Sequence, residues 1–146
     1  MAADATPDTV DAVSRWAWEL GIVFQISDDA LDLVATDAVR GKPAGSDISE
    51  GKFTLPVLAA LDGPQGARIT ELLSQPRPYT PQSVAEVIGL VRSGGFVEQA
   101  LDEAARRLTL AEQSIADLPE SPARSVLSSL GDYLINQVEV ARAMSN

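Results

Sequence analysis

GIVFQISDDALDLVATDAVRGKPAGSDISEGKFTLP, residues 21–56, holds the densest chemical information in the chain. Asp28, Asp29 and Asp32 form a DDxxD pattern whose apolar surroundings (Ile22, Val23, Phe24, Ile26, Leu31) read as a mostly buried helix. Asp28 and Asp32 lie one turn apart and share a face, and Gln25, three residues before Asp28, falls on the same side. Gly21 is one turn further back, where a small residue leaves room beside the site. Like charges at this spacing repel, and buried carboxylates so close together need a cation or a proton. Oxygen ligands of this kind suit a hard cation such as Mg²⁺, which keeps several waters and often bridges to phosphates. Lys42 in GKP and Lys52 in EGKFTLP follow, and carboxylates and lysines converging on one pocket make sense for a metal–diphosphate pair. The competing reading of the bare pattern is an acidic, solvated helix face with surface lysines.

Outward from this stretch the patterning is helical nearly throughout, so the expected fold class is all-α. Thr6-Pro7 opens the first helix, with Thr6 as N-cap, and the helix is expected to run to about Ala35. A polar, glycine-bearing loop is expected from Thr36 to Glu50, and a second helix from Phe53 to Leu61, stopping at Gly63-Pro64. A short helix follows from Ala67 to Leu73, then a turn-rich connector, QPRPYTPQ. Thr80-Pro81 opens another helix that ends at Gly94-Gly95. Val97, Leu101, Ala104, Leu108, Ala111 and Ile115 recur at steps of four and three, as do Leu127, Leu130, Leu134, Val138 and Ala141, at steps of three or four; both stripes read as core. No strand, repeat or linker is evident, and the chain reads as one domain or a large part of one.

Composition narrows the chemistry. The 146 residues include no cysteine and no histidine, which removes thiolates, disulfides and imidazole ligands or bases. A formal net charge of −10 argues against a nucleic-acid partner. With 45% apolar and 22% charged residues the chain reads as soluble and globular. MAADATPDTV lacks the features of a signal peptide, and no apolar run is long enough for a transmembrane segment, so the expected location is cytoplasmic.

FQISDDALD followed by GKPAGSDISEGKFTLP resembles the second aspartate-rich region of trans-type polyprenyl diphosphate synthases. The likeness is specific because FQ, DDxxD, GKPxGxD and EGKxTLP occur in order and spacing. It implies the C-terminal helices of the isoprenoid synthase fold and Mg²⁺-dependent head-to-tail condensation of an allylic diphosphate with isopentenyl diphosphate. By motif position it implies that Asp28 is the main metal carboxylate, supported by Asp29 and Asp32. Gln25, Lys42 and Lys52 would face the allylic diphosphate, and Phe24 would line the floor where the substrates meet. Asp47 and Thr54 match the motif as loop-ordering and helix-capping residues.

The sequence also departs from the family. Its earlier DDxxD, its GKR-type segment and the further arginine that bind isopentenyl diphosphate have no counterpart here, and Gln137 in LGDYLINQ stands where many relatives have an arginine. The likeness therefore covers only the family's second half. Three origins fit: a piece of a longer enzyme, a subunit that pairs with a separate N-terminal half, or a remnant that binds diphosphates or a partner without catalysis. The chain alone is expected to be inactive, and to occur as a homo-oligomer or with a partner chain supplying the N-terminal half.

Overall fold

The computed structural model describes residues 5–35 and 43–145. Among the described residues the elements are α1 (Pro7–Val34), α2 (Ser46–Glu50), α3 (Leu55–Leu61), α4 (Gly66–Leu73), α5 (Pro81–Ser93), α6 (Phe96–Ile115) and α7 (Pro122–Ser145), with no strand. None of these helices is long and apolar enough to cross a membrane.

The Thr-Pro pairs start helices as their chemistry dictates. The Thr6 hydroxyl accepts from the Thr9 N–H at 3.3 Å, and that of Thr80 from the Ser83 N–H at 3.1 Å, while each following proline takes a position where no N–H is needed. Gly95 takes φ 75° as it turns the chain from α5 into α6.

The core is the seam between α1 and α6, closed by α7 against both. All six residues of the α6 stripe are buried, and they meet Trp16, Leu20, Val23, Ile26 and Ala30 of α1. Two arginines clip the same seams. Arg107 reaches Glu19 of α1 at 2.9 Å, and Arg142 of α7 holds Glu98 and Asp102 of α6 at 2.6 and 2.9 Å.

Several expectations need correction. The end of the expected loop, residues 46–50, is the short helix α2, while Thr36 to Lys42 lie outside the described residues. The next helix begins at Leu55, not Phe53, and Thr54 occupies its N-cap without a side-chain hydrogen bond. On α7, Leu134, Val138 and Ala141 are buried, but Leu130 is 48% exposed and Leu127 only partly buried. The buried stripe there runs through Gly131 instead, because the first half of α7 meets less of the α1–α6 pair.

Candidate functional site

The last third of α1 and the chain returning through α2 build the candidate site. Positions 23, 27, 30 and 34 of α1 are buried, whereas 17, 18, 21, 24 and 25 are exposed, so one full face of the helix is open. Phe24 lies on that face and is 60% exposed. Asp28 is half-buried at its margin.

Asp29 and Asp32 turn inward, with 7% and 2% exposure. They do different things. The Asp32 carboxylate accepts from the Ser46 hydroxyl at 2.7 Å and from the Asp47 N–H at 3.2 Å, and its own carbonyl accepts from the Gly45 N–H at 2.8 Å. It thereby stitches the returning chain to α1 at the start of α2. Asp29 accepts from the Gln25 side chain at 2.7 Å, so Gln25 is bonded to Asp29, not to Asp28.

The motif glycines are where this return needs them. Gly45 has φ 74°, and a Cβ there would lie 2.6 Å from Ile88 and 2.8 Å from Val84 of α5. Gly51 has φ 78° and lies against the guanidinium of Arg77, which donates to the Glu50 carbonyl at 3.1 Å. An L side chain at either position would be strained by its backbone conformation, and a Cβ there would also have to displace a neighbouring side chain.

Lys52 follows Gly51. Its N–H donates to the Asp47 carbonyl at 2.8 Å, and its ammonium pairs with Glu50 at 2.6 Å and lies 3.9 Å from Asp47. The hydrogen bond that Lys52 donates to Glu50, then the charge of Glu50, raise the Lys52 pKa, so the cation is kept. With its side chain 64% exposed, it stands at the rim of the site. Lys42 lies outside the described residues.

Beside Asp29 opens a cavity of about 710 Å³, within the range of small-ligand sites. Gln25, Asp29, Trp18, Ile22, Leu55 and Arg107 are among its walls. Arg107 is a cation the sequence did not single out. It is held by Glu19 and by Glu103 at 2.7 Å. Hydrogen bonds from Arg106 and then Arg107 lower the Glu103 pKa to about 2, so Glu103 is ionised at neutral pH. No local motif announces Arg107, because Glu19 is far away in sequence.

Burial is the largest cause of a raised Asp29 pKa, with repulsion from Asp47, Asp28 and Asp32 adding to it and the Gln25 hydrogen bond opposing it. A carboxylate held in this way gains from any nearby cation. Among the described residues, no three Asp, Glu, His or Cys side chains gather closely enough to enclose a metal by themselves. That donor set still fits Mg²⁺, which commonly takes one or two carboxylates and completes its octahedron with waters and phosphate oxygens.

The raised pKa has a measurable consequence. Stability linked to Asp29 is full below its unfolded value of 3.8 and is lost as pH rises through the raised folded value. In metal-free buffer, Asp29→Asn is expected to raise the melting temperature at pH 7 and flatten its decline above pH 4. Equal melting curves for the two proteins from pH 4 to 7 would exclude an uncompensated buried charge at this position.

The chain matches the Polyprenyl synthetase family over residues 1–91. It is 35% identical over 139 residues to the nonaprenyl diphosphate synthase of Mycobacterium tuberculosis, covering 94% of this chain and 41% of that protein. It is 33% identical to heptaprenyl diphosphate synthase component 2 of Geobacillus stearothermophilus, covering 92% and 41%. The crystal structure of geranylgeranyl pyrophosphate synthase from Corynebacterium glutamicum, complexed with calcium and isoprenyl diphosphate, superposes with a TM-score of 0.78 at 34% identity, covering 97% of this chain and 43% of that one. The chain thus spans about two-fifths of the length of the relatives it matches.

Proposed function

This chain belongs to the polyprenyl synthetase family and has part of the all-α isoprenoid synthase fold, and from that premise we propose that it supplies the C-terminal part of a prenyltransferase domain. The reaction is head-to-tail condensation of an allylic diphosphate with isopentenyl diphosphate, with Mg²⁺ as cofactor. The N-terminal part comes from upstream sequence or a separate chain; the matched relatives, one of them named as a component of a heptaprenyl synthase, carry the unmatched part within the same polypeptide, which favours the first arrangement.

The observation that carries this reading is the convergence of one sequence motif in space. Asp32 ties α2 to α1, and so brings the Lys52 loop beside the end of α1 that bears Asp28 and Asp29. In the proposed site Asp28 and Asp29 hold the metal, and Asp32 holds the loop while adding charge. Gln25 orients Asp29, and Lys42 and Lys52 neutralise the oxygens of the allylic diphosphate. Bound Mg²⁺ would stabilise the charge developing on the departing diphosphate. Lys52 keeps its proton through this step, because its pairing with Glu50 favours the charged form. Phe24 presents an apolar ring to the allylic carbons from the open face of α1.

Calorimetry with geranyl diphosphate, with and without Mg²⁺, tests the reading. Binding is expected only with metal. Lys42→Ala and Lys52→Ala are each expected to weaken it about tenfold or more, because each loses a charge-assisted phosphate contact, and Lys52→Ala, at an exposed rim, should hardly move the melting temperature. Metal-independent binding, or affinity unchanged in both variants, would leave these lysines as ordinary surface charge.

A further inference from the structure

We infer that Arg77, in the connector between α4 and α5, is a positioning residue for Lys52: its guanidinium braces the turn at Glu50 and Gly51 and so fixes where the Lys52 ammonium stands at the rim of the site. The inference rests on the diphosphate reading above and adds to it a residue from outside the motif.

The braced turn is the end of a very short helix. α2 has five residues, and a helix of that length cannot secure its own last carbonyls. From the inside, the Gly51 N–H donates to the Ile48 carbonyl at 2.9 Å and the Lys52 N–H to the Asp47 carbonyl at 2.8 Å. From the outside, Nη1 of Arg77 donates to the Glu50 carbonyl at 3.1 Å. A cation is favoured at a helix C-terminus, and here it caps the residue just before the turn. The two residues are 27 apart in the chain, so no motif spacing announces the contact.

Gly51 supplies a second observation. Its φ of 78° already favours glycine, but the Arg77 guanidinium also occupies the space that a Cβ would take. The glycine before Lys52 therefore leaves the room in which Arg77 lies.

Arg77 is itself on an anchored segment. The Tyr79 hydroxyl donates to the Leu73 carbonyl at the end of α4 at 2.9 Å, and the Ser83 hydroxyl of α5 donates to the Gln75 side chain at 3.2 Å. The same unit covers Gly45, the N-cap of α2, through Val84 and Ile88. Both ends of α2 are thus gripped by α5 and the connector before it.

The consequence for Lys52 runs through Glu50. Arg77 holds the Glu50 backbone, and the Glu50 carboxylate holds the Lys52 ammonium at 2.6 Å. The Lys52 side chain is 64% exposed, so many solvent-side rotamers open to it once Glu50 drifts. Arg77 acts on the diphosphate site through this turn, and not by touching the ligand.

Two measurements on the full chain test the inference: amide hydrogen exchange without ligand, and calorimetry with geranyl diphosphate and Mg²⁺. In Arg77→Ala the Gly51 and Lys52 amides are expected to exchange about fivefold faster, while those of Val23 and Leu101 and the melting temperature stay as in the parent. Affinity is expected to fall about threefold to tenfold. In a Lys52→Ala background the same substitution is expected to change affinity by less than about twofold, because the contact it positions is already gone. Arg15→Ala, which removes a positive charge toward the start of α1, is expected to match the parent in both measurements.

Unchanged exchange at Gly51 and Lys52 would overturn the inference, as would uniformly faster exchange with a lower melting temperature. Full affinity in Arg77→Ala would do the same. Additive losses in the double variant would place Arg77 on the diphosphate itself, and an equal loss in Arg15→Ala would reduce the effect to net charge; either result overturns it. If the parent binds no geranyl diphosphate, the functional reading falls, and the exchange data alone decide whether Arg77 braces the turn.

Discussion

Incubated alone with Mg²⁺, radiolabelled isopentenyl diphosphate and a series of allylic primers, this chain is expected to form no prenyl diphosphate above background. Two substrates must be held with their reacting carbons in near-attack contact, and that positioning contributes effective concentrations of about 10⁵–10⁸ M to the rate. The described residues offer one carboxylate-bearing face, and a cavity whose sole cationic wall residue, Arg107, is engaged by Glu19 and Glu103. The face with Phe24 is open to water, and an allylic cation formed there would be quenched by it. On the proposed reading, adding the unmatched segment of a family member should restore incorporation, because that segment would supply both the isopentenyl diphosphate site and the cover. Robust product from the purified chain alone would mean that a complete site exists within these 146 residues.

The parts of this molecule legible in sequence were those governed by neighbours along the chain. Thr6-Pro7 and Thr80-Pro81 mark helix starts through local hydrogen bonds, and the α6 stripe declares its buried face by period alone. The motif glycines belong to the same class, since Gly45 and Gly51 adopt a backbone conformation that favours glycine. What stayed hidden depends on distant partners. Residues 46–50 look like loop because a five-residue helix has almost no period, and α2 is secured by Asp32, fourteen residues before its first residue. Arg107 gains its place in the cavity wall through Glu19, across the α1–α6 seam. Phe24 belongs to an apolar stretch that reads as mostly buried, yet it stands exposed, because periodicity says which residues share a face and not whether anything lies against it.

The three aspartates of the DDxxD pattern are expected to separate once each is replaced. Asp32→Ala strands the Ser46 hydroxyl and the Asp47 N–H, two donors it now satisfies from a position 2% exposed. The expected loss is about 1.5–3 kcal/mol, or a melting temperature lower by roughly 3–12 °C. Activity of the completed assembly should fall with it, because the Lys52 loop is no longer held beside α1. Asp28→Asn keeps the size of the side chain and removes only its charge, at the half-buried margin of the open face. It is expected to lower turnover of the completed assembly about 10²–10³-fold, the usual scale for losing one group aimed at transition-state charge. Asp29→Asn differs from both, stabilising the metal-free chain while weakening its response to Mg²⁺. Melting curves of the chain and turnover of the assembly, each measured over a Mg²⁺ titration, give the comparison. A common stability loss with no Mg²⁺ dependence in any variant would reduce the motif to a structural acidic cluster; full turnover in Asp28→Asn would move the metal carboxylate to another residue.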